Sequence, residues 1–226
     1  MRIVNAGHTA RTLAIGTHPE DIMFGCGGTL MRLDQQGHQI FVLTGETSAD
    51  VGDQLHVARS FAMLGTGALS GENWLFAEHS LVHSMKSVVT EINPTMVFVQ
   101  YPEDLIPEHK CFARCAISAT RFVRNVFFYE LPTSQDFTPS IFVDIESVLS
   151  DKARLLESRK PQAESQRVGE QDMHESELIT SLAHFRGLRT GVKAAEGFSP
   201  HHMILDLCAQ TPTEFDQQVG LMRAST

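Results

Sequence analysis

His18, Glu20 and Asp21 fall within four positions of one another, directly after the apolar run Leu13 to Ile15 and just before Phe24-Gly25-Cys26-Gly27-Gly28-Thr29-Leu30. Imidazole nitrogen and carboxylate oxygen are what a divalent metal such as zinc accepts, and a catalytic metal site keeps three protein ligands with one position open for water. In a loop leaving a strand, His18 and Asp21 can turn toward one point. Glu20 is then placed to act as general base toward a water acidified by the metal. A plainer reading stays open beside this one: an exposed acidic turn in which Asp21 caps the next helix.

A third ligand has to come from elsewhere, and the best candidate lies in Asp104-Leu105-Ile106-Pro107-Glu108-His109-Lys110. The run Met96-Val97-Phe98-Val99-Gln100 predicts a strand ending on the same sheet edge as the first. Its loop would bring His109 to the metal, and Pro107 at a helix start would fix His109 in the first turn. Taken by itself, His109 reads as a partly exposed helix residue. His79 and His83 have the i, i+4 spacing of a helical metal pair, but no Glu follows His79 in the zincin manner, so they read as solvated surface. His201 and His202 follow Pro200 in an expected loop from which they could reach substrate. Cys111 and Cys115, four apart on one helix face, read as small buried apolar residues before they read as a zinc pair. The Gly25-Cys26-Gly27-Gly28 turn lacks the third glycine of a dinucleotide fingerprint; it reads as a place where helix, strand and ligand approach closely.

The elements that must position these residues alternate along the chain. Strands are expected at Thr12 to Gly16, Gln39 to Thr44, Trp74 to Phe76, Met96 to Gln100 and Val126 to Tyr129. Between them the spacing predicts helices at Gly27 to Gln36, Gln54 to Leu64, Leu81 to Ile92 and His109 to Val123. That rhythm gives a mostly parallel sheet covered by helices on both faces. After Pro132 come a strand at Ile141 to Asp144, a helix near Glu146 to Arg159, a polar stretch from Lys160 to Glu175, a helix from Ser176 to Phe185, and the apolar Met203-Ile204-Leu205. No internal repeat and no Gly-, Ser- or Pro-rich linker divides the chain, so 1–226 reads as one domain with a C-terminal extension.

At 226 residues the chain can bury a sizeable core. Its net charge of −9 and the lack of a Lys/Arg cluster argue against nucleic acid as a partner and favour a small molecule. No segment has the apolar length of a membrane span, and the first eight residues lack the basic start and long apolar stretch of a signal peptide. A cytoplasmic location is expected, and a homo-oligomer is compatible with the sequence.

Ala14-Ile15-Gly16-Thr17-His18-Pro19-Glu20-Asp21 with Gly25-Cys26-Gly27-Gly28-Thr29-Leu30 resembles the opening signature of the PIG-L/LmbE-like deacetylases, Ala-His-Pro-Asp-Asp followed by Gly-Cys-Gly-Gly-Thr. Further segments match in order. Leu43-Thr44-Gly45-Glu46 looks like the family's second strand and loop, and Asp104 to Lys110 its Asp-x-His-Pro-Asp-His-Arg stretch. Phe128 to Pro132, Phe142 to Ile145 and Gly191 to Phe198 match later parts. The resemblance implies a Rossmann-like three-layer α/β fold and zinc-dependent removal of an acetyl group from N-acetylglucosamine-type sugars or conjugates, with another divalent metal such as Fe2+ an alternative. Carried across residue by residue, it puts His18, Asp21 and His109 on the three metal ligands and Glu20 on the catalytic base.

The departures matter. Glu20 replaces an Asp and extends the carboxylate by one methylene, a shift on the order of an ångström, and misplacement of that size can cost about a hundredfold in rate. Ile106 stands where the family has a histidine thought to assist the transition state, and Ala194 where many members have a tyrosine that polarises the carbonyl. Asp53 and Gln54 stand near the family's usual arginine. These changes set a second expectation beside the first: a metal- or sugar-binding relative with lost or attenuated deacetylase activity.

Overall fold

In the computed structural model, which describes residues 10–45, 58–63, 74–157 and 175–204, the alternation of strands and helices becomes a three-layer, Rossmann-like α/β fold. The elements run β1 (Arg11–Gly16), α1 (Pro19–Gln35), β2 (Gln39–Thr44), β3 (Ala58–Met63), α2 (Trp74–Ile92), β4 (Met96–Gln100), α3 (Pro107–Thr120), β5 (Asn125–Tyr129), β6 (Ile141–Asp144), a 3-10 turn (Glu146–Val148), α4 (Leu149–Glu157), α5 (Glu175–Leu188) and β7 (Ala195–Met203). Among the described residues the sheet has seven strands in the order β3-β2-β1-β4-β5-β7-β6. The first five in that order are parallel; β7 runs antiparallel to both β5 and β6.

Both faces of the central strands are buried, so their apolar residues divide by strict alternation. Leu13 and Ile15 of β1, with Val97 and Val99 of β4, pack under α2 and α3 beside Leu81, Met85 and Phe112. Ala14, Met96 and Phe98 face the other way, into a core shared with Ile22 and Leu30 of α1, Leu156 of α4 and Ile179 of α5. A parallel strand covered on both sides needs such a continuous apolar run, which is why β1, β2, β4 and β5 appear where the sequence places them. The chain leaves β1 toward β2 on one side and returns to β4 on the other. The gap beyond Gly16 and Gln100 is therefore the topological switch point, where open α/β sheets form their crevice. Among the described residues, no helix is long and apolar enough to cross a membrane.

Four elements differ from expectation. α1 starts at Pro19 rather than Gly27, so the glycines lie inside a helix and not in a turn before it. Glycine costs about 1 kcal/mol in a helix interior. Here close packing requires it: a Cβ on Gly25 would lie 2.0 Å from the Tyr129 ring, and one on Gly28 would be 3.0 Å from both Glu196 Oε1 and Ile145. The segment expected as the end of a helix at Gln54 to Leu64 has strand backbone over Ala58–Met63, paired in parallel with β2. Tertiary pairing has overridden the helix preference of Ala, Arg and Met; residues 54–57 and 64 lie outside the described residues. Trp74 to Phe76 is the opening of α2, because three aromatic and aliphatic residues are too few to separate strand from helix. β7 carries His201 and His202, expected in a loop, as strand residues, and a register shift opposite Val126/Phe127 accommodates Pro200.

Candidate metal centre

The chain leaves β1 through Gly16 and Thr17, and His18 is the extended residue that starts α1. Pro19 at the first helical position supplies a pre-set φ and lacks the N–H that would otherwise go unpaired. Glu20 and Asp21 occupy the first turn, where carboxylates complement the helix dipole. Asp21 Oδ2 reaches back to accept the His18 N–H at 2.9 Å and lies 3.2 Å from His18 Nδ1. Asp21 thus caps the helix, as the plainer reading held, and at the same time faces both histidines.

His109 enters from the neighbouring half. It stands in the first turn of α3, three residues after Ile106, and is buried. Its Nε2 lies 3.5 Å from Asp21 Oδ2, and the two imidazole rings are 5.7 Å apart. One ligand atom from each of His18, Asp21 and His109 can be chosen so that all three lie within 4.8 Å of one another. Ligands about 2.1 Å from a tetrahedral ion sit roughly 3.4 Å apart, and the carboxylate-to-imidazole separations of 3.2 and 3.5 Å match that spacing. Two imidazoles and one carboxylate also match the donor chemistry of zinc and of ferrous iron.

The other ring nitrogen of His109 faces Asp104. Nδ1 and Asp104 Oδ1 are 3.3 Å apart, too far off line for a formal hydrogen bond. Asp104 is fully buried and held at both oxygens: Oδ1 accepts the Ile106 N–H and Oδ2 accepts the Thr133 hydroxyl, each at 2.9 Å. A fixed carboxylate behind an imidazole restricts the orientation of the ring. Asp104 was not singled out from the sequence. Its signal was an aspartate three residues before a Pro-initiated helix, a place where aspartate commonly turns the chain.

A second feature missed in the sequence lies behind α1. Lys152 of α4 and Glu196 of β7 form an ion pair at 2.7 Å, with both side chains buried. Lys152 Nζ donates to the Phe24 carbonyl at 2.5 Å, while Glu196 accepts the Gly28 N–H at 2.8 Å and the Thr29 N–H at 2.7 Å. In a regular helix Gly28 N–H and Phe24 C=O would pair with each other. The ion pair is wired into α1 at that point, and close approach by Glu196 explains the glycine at 28. Burial pushes the Cys26 thiol well up, with Glu196 adding to the rise and Lys152 opposing it. Burial likewise raises the Tyr129 phenol, with Cys26 and Asp21 contributing; the protonated hydroxyl donates to the Ile15 carbonyl at the end of β1.

His201 and His202 lie away from this centre. They are on β7 rather than in a loop, and His202 pairs in register with Val126 near the start of β5, at the opposite end of the sheet from Gly16 and Gln100. His202 Nε2 contacts the Val123 carbonyl, and the His201 ring packs on Phe128. His79 and His83 are exposed on α2. Cys115 is buried on α3, and its thiol is pushed up to about 12, chiefly by burial; Cys111 contacts Glu78. Ile106 is half-buried at the start of α3, whereas the Ala194 methyl lies in the core with Ile145, Val148 and Ile179. Asp53 and Gln54 lie outside the described residues.

No protein-family model matches the chain. Among curated proteins it is similar to the uncharacterized deacetylase YaiS of Escherichia coli K12, with 24% identity over 150 residues, or 59% of this chain and 81% of that protein. Three solved structures share its architecture at low identity. The 4-carboxy-2-hydroxymuconate hydratase GalB of Pseudomonas putida KT2440 aligns with a TM-score of 0.68 at 17% identity, covering 89% of this chain and 100% of that one. For the N,N'-diacetylchitobiose deacetylase of Pyrococcus horikoshii the TM-score is 0.62 at 18% identity, covering 84% and 83%. The zinc-inhibited form of teicoplanin deacetylase Orf2 gives 0.61 at 17% identity, covering 84% and 97%. The chain therefore has the Rossmann-like fold found in these enzymes. Its resemblance to the PIG-L/LmbE-like deacetylases, carried by the motifs around His18 and His109, extends to a curated sequence relative and to solved deacetylases.

Proposed function

We propose that this protein is a metal-dependent hydrolase that removes an N-acetyl group from an N-acetylglucosamine-type sugar or sugar conjugate, working as one domain over residues 1–226. The observation that carries the proposal is the convergence of His18, Asp21 and His109 from the starts of two separate helices at the switch point of the sheet. Those three would hold a divalent cation, which when bound polarises the scissile carbonyl and acidifies water. Glu20, one position before Asp21, accepts the proton of the attacking water and returns it to the departing amine. Asp104 keeps the His109 ring turned toward Asp21. The test is acetate release from a panel of N-acetyl sugars with Zn2+ and with Fe2+, assayed side by side because a teicoplanin deacetylase of this fold is known in a zinc-inhibited form. Release that stops on chelation and returns with metal is expected; release that ignores a chelator would defeat the assignment.

A second reading, a metal- or sugar-binding relative without full activity, is favoured by Ile106. An apolar side chain three residues from His109 can neither donate a proton nor stabilise an oxyanion. The fold alone does not decide, since it also serves a hydratase. Substituting Ile106→His is expected to raise acetate release about tenfold or more if the site is an attenuated deacetylase. Unchanged release together with tight binding of intact sugar would favour the binding protein.

A further inference from the structure

Gln100 ends β4 and is fully buried, a primary amide closing an otherwise apolar run. Its oxygen accepts the Thr17 N–H at 2.8 Å and lies 3.2 Å from the Thr17 hydroxyl. Its nitrogen donates to the His109 carbonyl and to Thr17 Oγ1, each at 2.8 Å. Thr17 immediately precedes His18, so one side chain ties the start of α1 to the first turn of α3.

We propose that Gln100 is a positioning residue for divalent-metal capture, setting the separation between the His18–Asp21 half of the centre and the His109 half before an ion arrives. This rests on the reading that those three residues hold a metal. The two halves belong to different βα connections, Asp21 and His109 are 88 positions apart, and among the described residues no disulfide holds them in register. An ion entering a site with loose halves must order them itself, and the cost of that ordering appears as lost affinity. Asp104 governs the ring of His109; Gln100 governs its main chain. The hydrogen-bonding pattern also explains why the amide suits this place. Thr17 N–H requires an acceptor and His109 C=O requires a donor, and a primary amide offers both, whereas a carboxylate or an aliphatic side chain of similar length does not.

The experiment measures Zn2+ affinity of the metal-free protein by competition with a chromogenic chelator, for the wild type, Gln100→Met and Thr17→Val. Gln100→Met keeps the length and removes every hydrogen bond of the bridge; a 10- to 100-fold weaker Zn2+ affinity is expected, the range seen when partners of metal ligands are removed. Thr17→Val keeps the two main-chain bonds and is expected to weaken Zn2+ binding about threefold. The melting temperature of each metal-free variant is measured alongside. Unchanged Zn2+ affinity in Gln100→Met with a lowered melting temperature would show a merely structural amide and overturn the proposal. Should Gln100→Met not fold, Thr17→Val decides, and wild-type affinity in it counts against the bridge. Wild-type protein that takes up no Zn2+ or Fe2+ sinks the metal assignment itself, a failure distinct from that of the Gln100 bridge.

Discussion

Glu20→Gln is expected to lower kcat/KM on an accepted N-acetyl sugar by about 10²- to 10⁴-fold while leaving metal content and fold intact. A positioned general base typically contributes a factor of that size, equivalent to roughly 3–5 kcal/mol of barrier. The substitution keeps the shape of the side chain and removes only its ability to take a proton. Asp21, His18 and His109 remain, so the protein should still bind one equivalent of metal. Glu20 is also a first-turn acid on α1, and losing that charge costs at most about 1 kcal/mol of stability. A large fall in rate beside a small fall in stability is therefore the signature to look for. Glu20→Asp separates charge from reach. It retains the carboxylate but draws it back by about one ångström, which can itself cost on the order of a hundredfold. If Glu20→Gln kept more than a tenth of the wild-type rate, proton transfer would have to be assigned to another group.

The parts of the molecule legible in the sequence are those in which a single physical requirement dominates. Strands buried on both faces must be continuous apolar runs, so Leu13 to Ile15 and Met96 to Val99 announced themselves, and with them the two loops that bring His18, Asp21 and His109 together. The start of α1 was not legible, because two requirements compete there. Local propensity disfavours glycine in a helix, whereas contact with Tyr129 and Glu196 demands it, and only the tertiary partner reveals which prevails. β7 was hidden for the same reason: Gly197 and Pro200 are unfavourable locally, yet the strand closes the gap between β5 and β6. β3 reversed a local helix preference through pairing with β2.

The overlooked polar residues share a pattern. Gln100 is the one polar residue of β4, Lys152 lies on the α4 face between Leu149 and Leu156, and Glu196 sits between Ala195 and Gly197. Each is a polar side chain at a position whose neighbours are buried, and each turns out to serve backbone groups: Gln100 those of Thr17 and His109, the other two those of α1. Buried polar groups need partners, so a charged residue in phase with a core face signals a specific tertiary bond. That signal is readable from sequence, but it does not name the partner. Asp104, bonded to Ile106 and Thr133, belongs to the same class.

The ion pair behind α1 gives the largest expected effect on stability. Lys152→Met and Glu196→Ala are each expected to reduce unfolding free energy by about 3–5 kcal/mol, the cost of leaving one member of a buried pair without its counter-charge. That is a fifth or more of the roughly 5–15 kcal/mol that holds a typical protein folded. Glu196→Ala also removes a carboxylate that accepts from the Gly28 and Thr29 N–H groups, and Lys152→Met removes a donor to the Phe24 carbonyl. The double variant should lose clearly less than the sum of the two. With both charges gone, no unpaired charge remains buried behind the helix. Urea unfolding of the two single variants and the double variant measures all three terms. Losses below about 1 kcal/mol in both single variants would show that the pair contributes little, and strict additivity would show that the two residues act on α1 independently. The site should register the change as well, because α1 carries Glu20 and Asp21 on its first turn and the ion pair grips the same helix from Phe24 onward. Zn2+ binding by Glu196→Ala is accordingly expected to weaken together with its stability, whereas Gln100→Met should weaken Zn2+ binding more than its loss of stability accounts for.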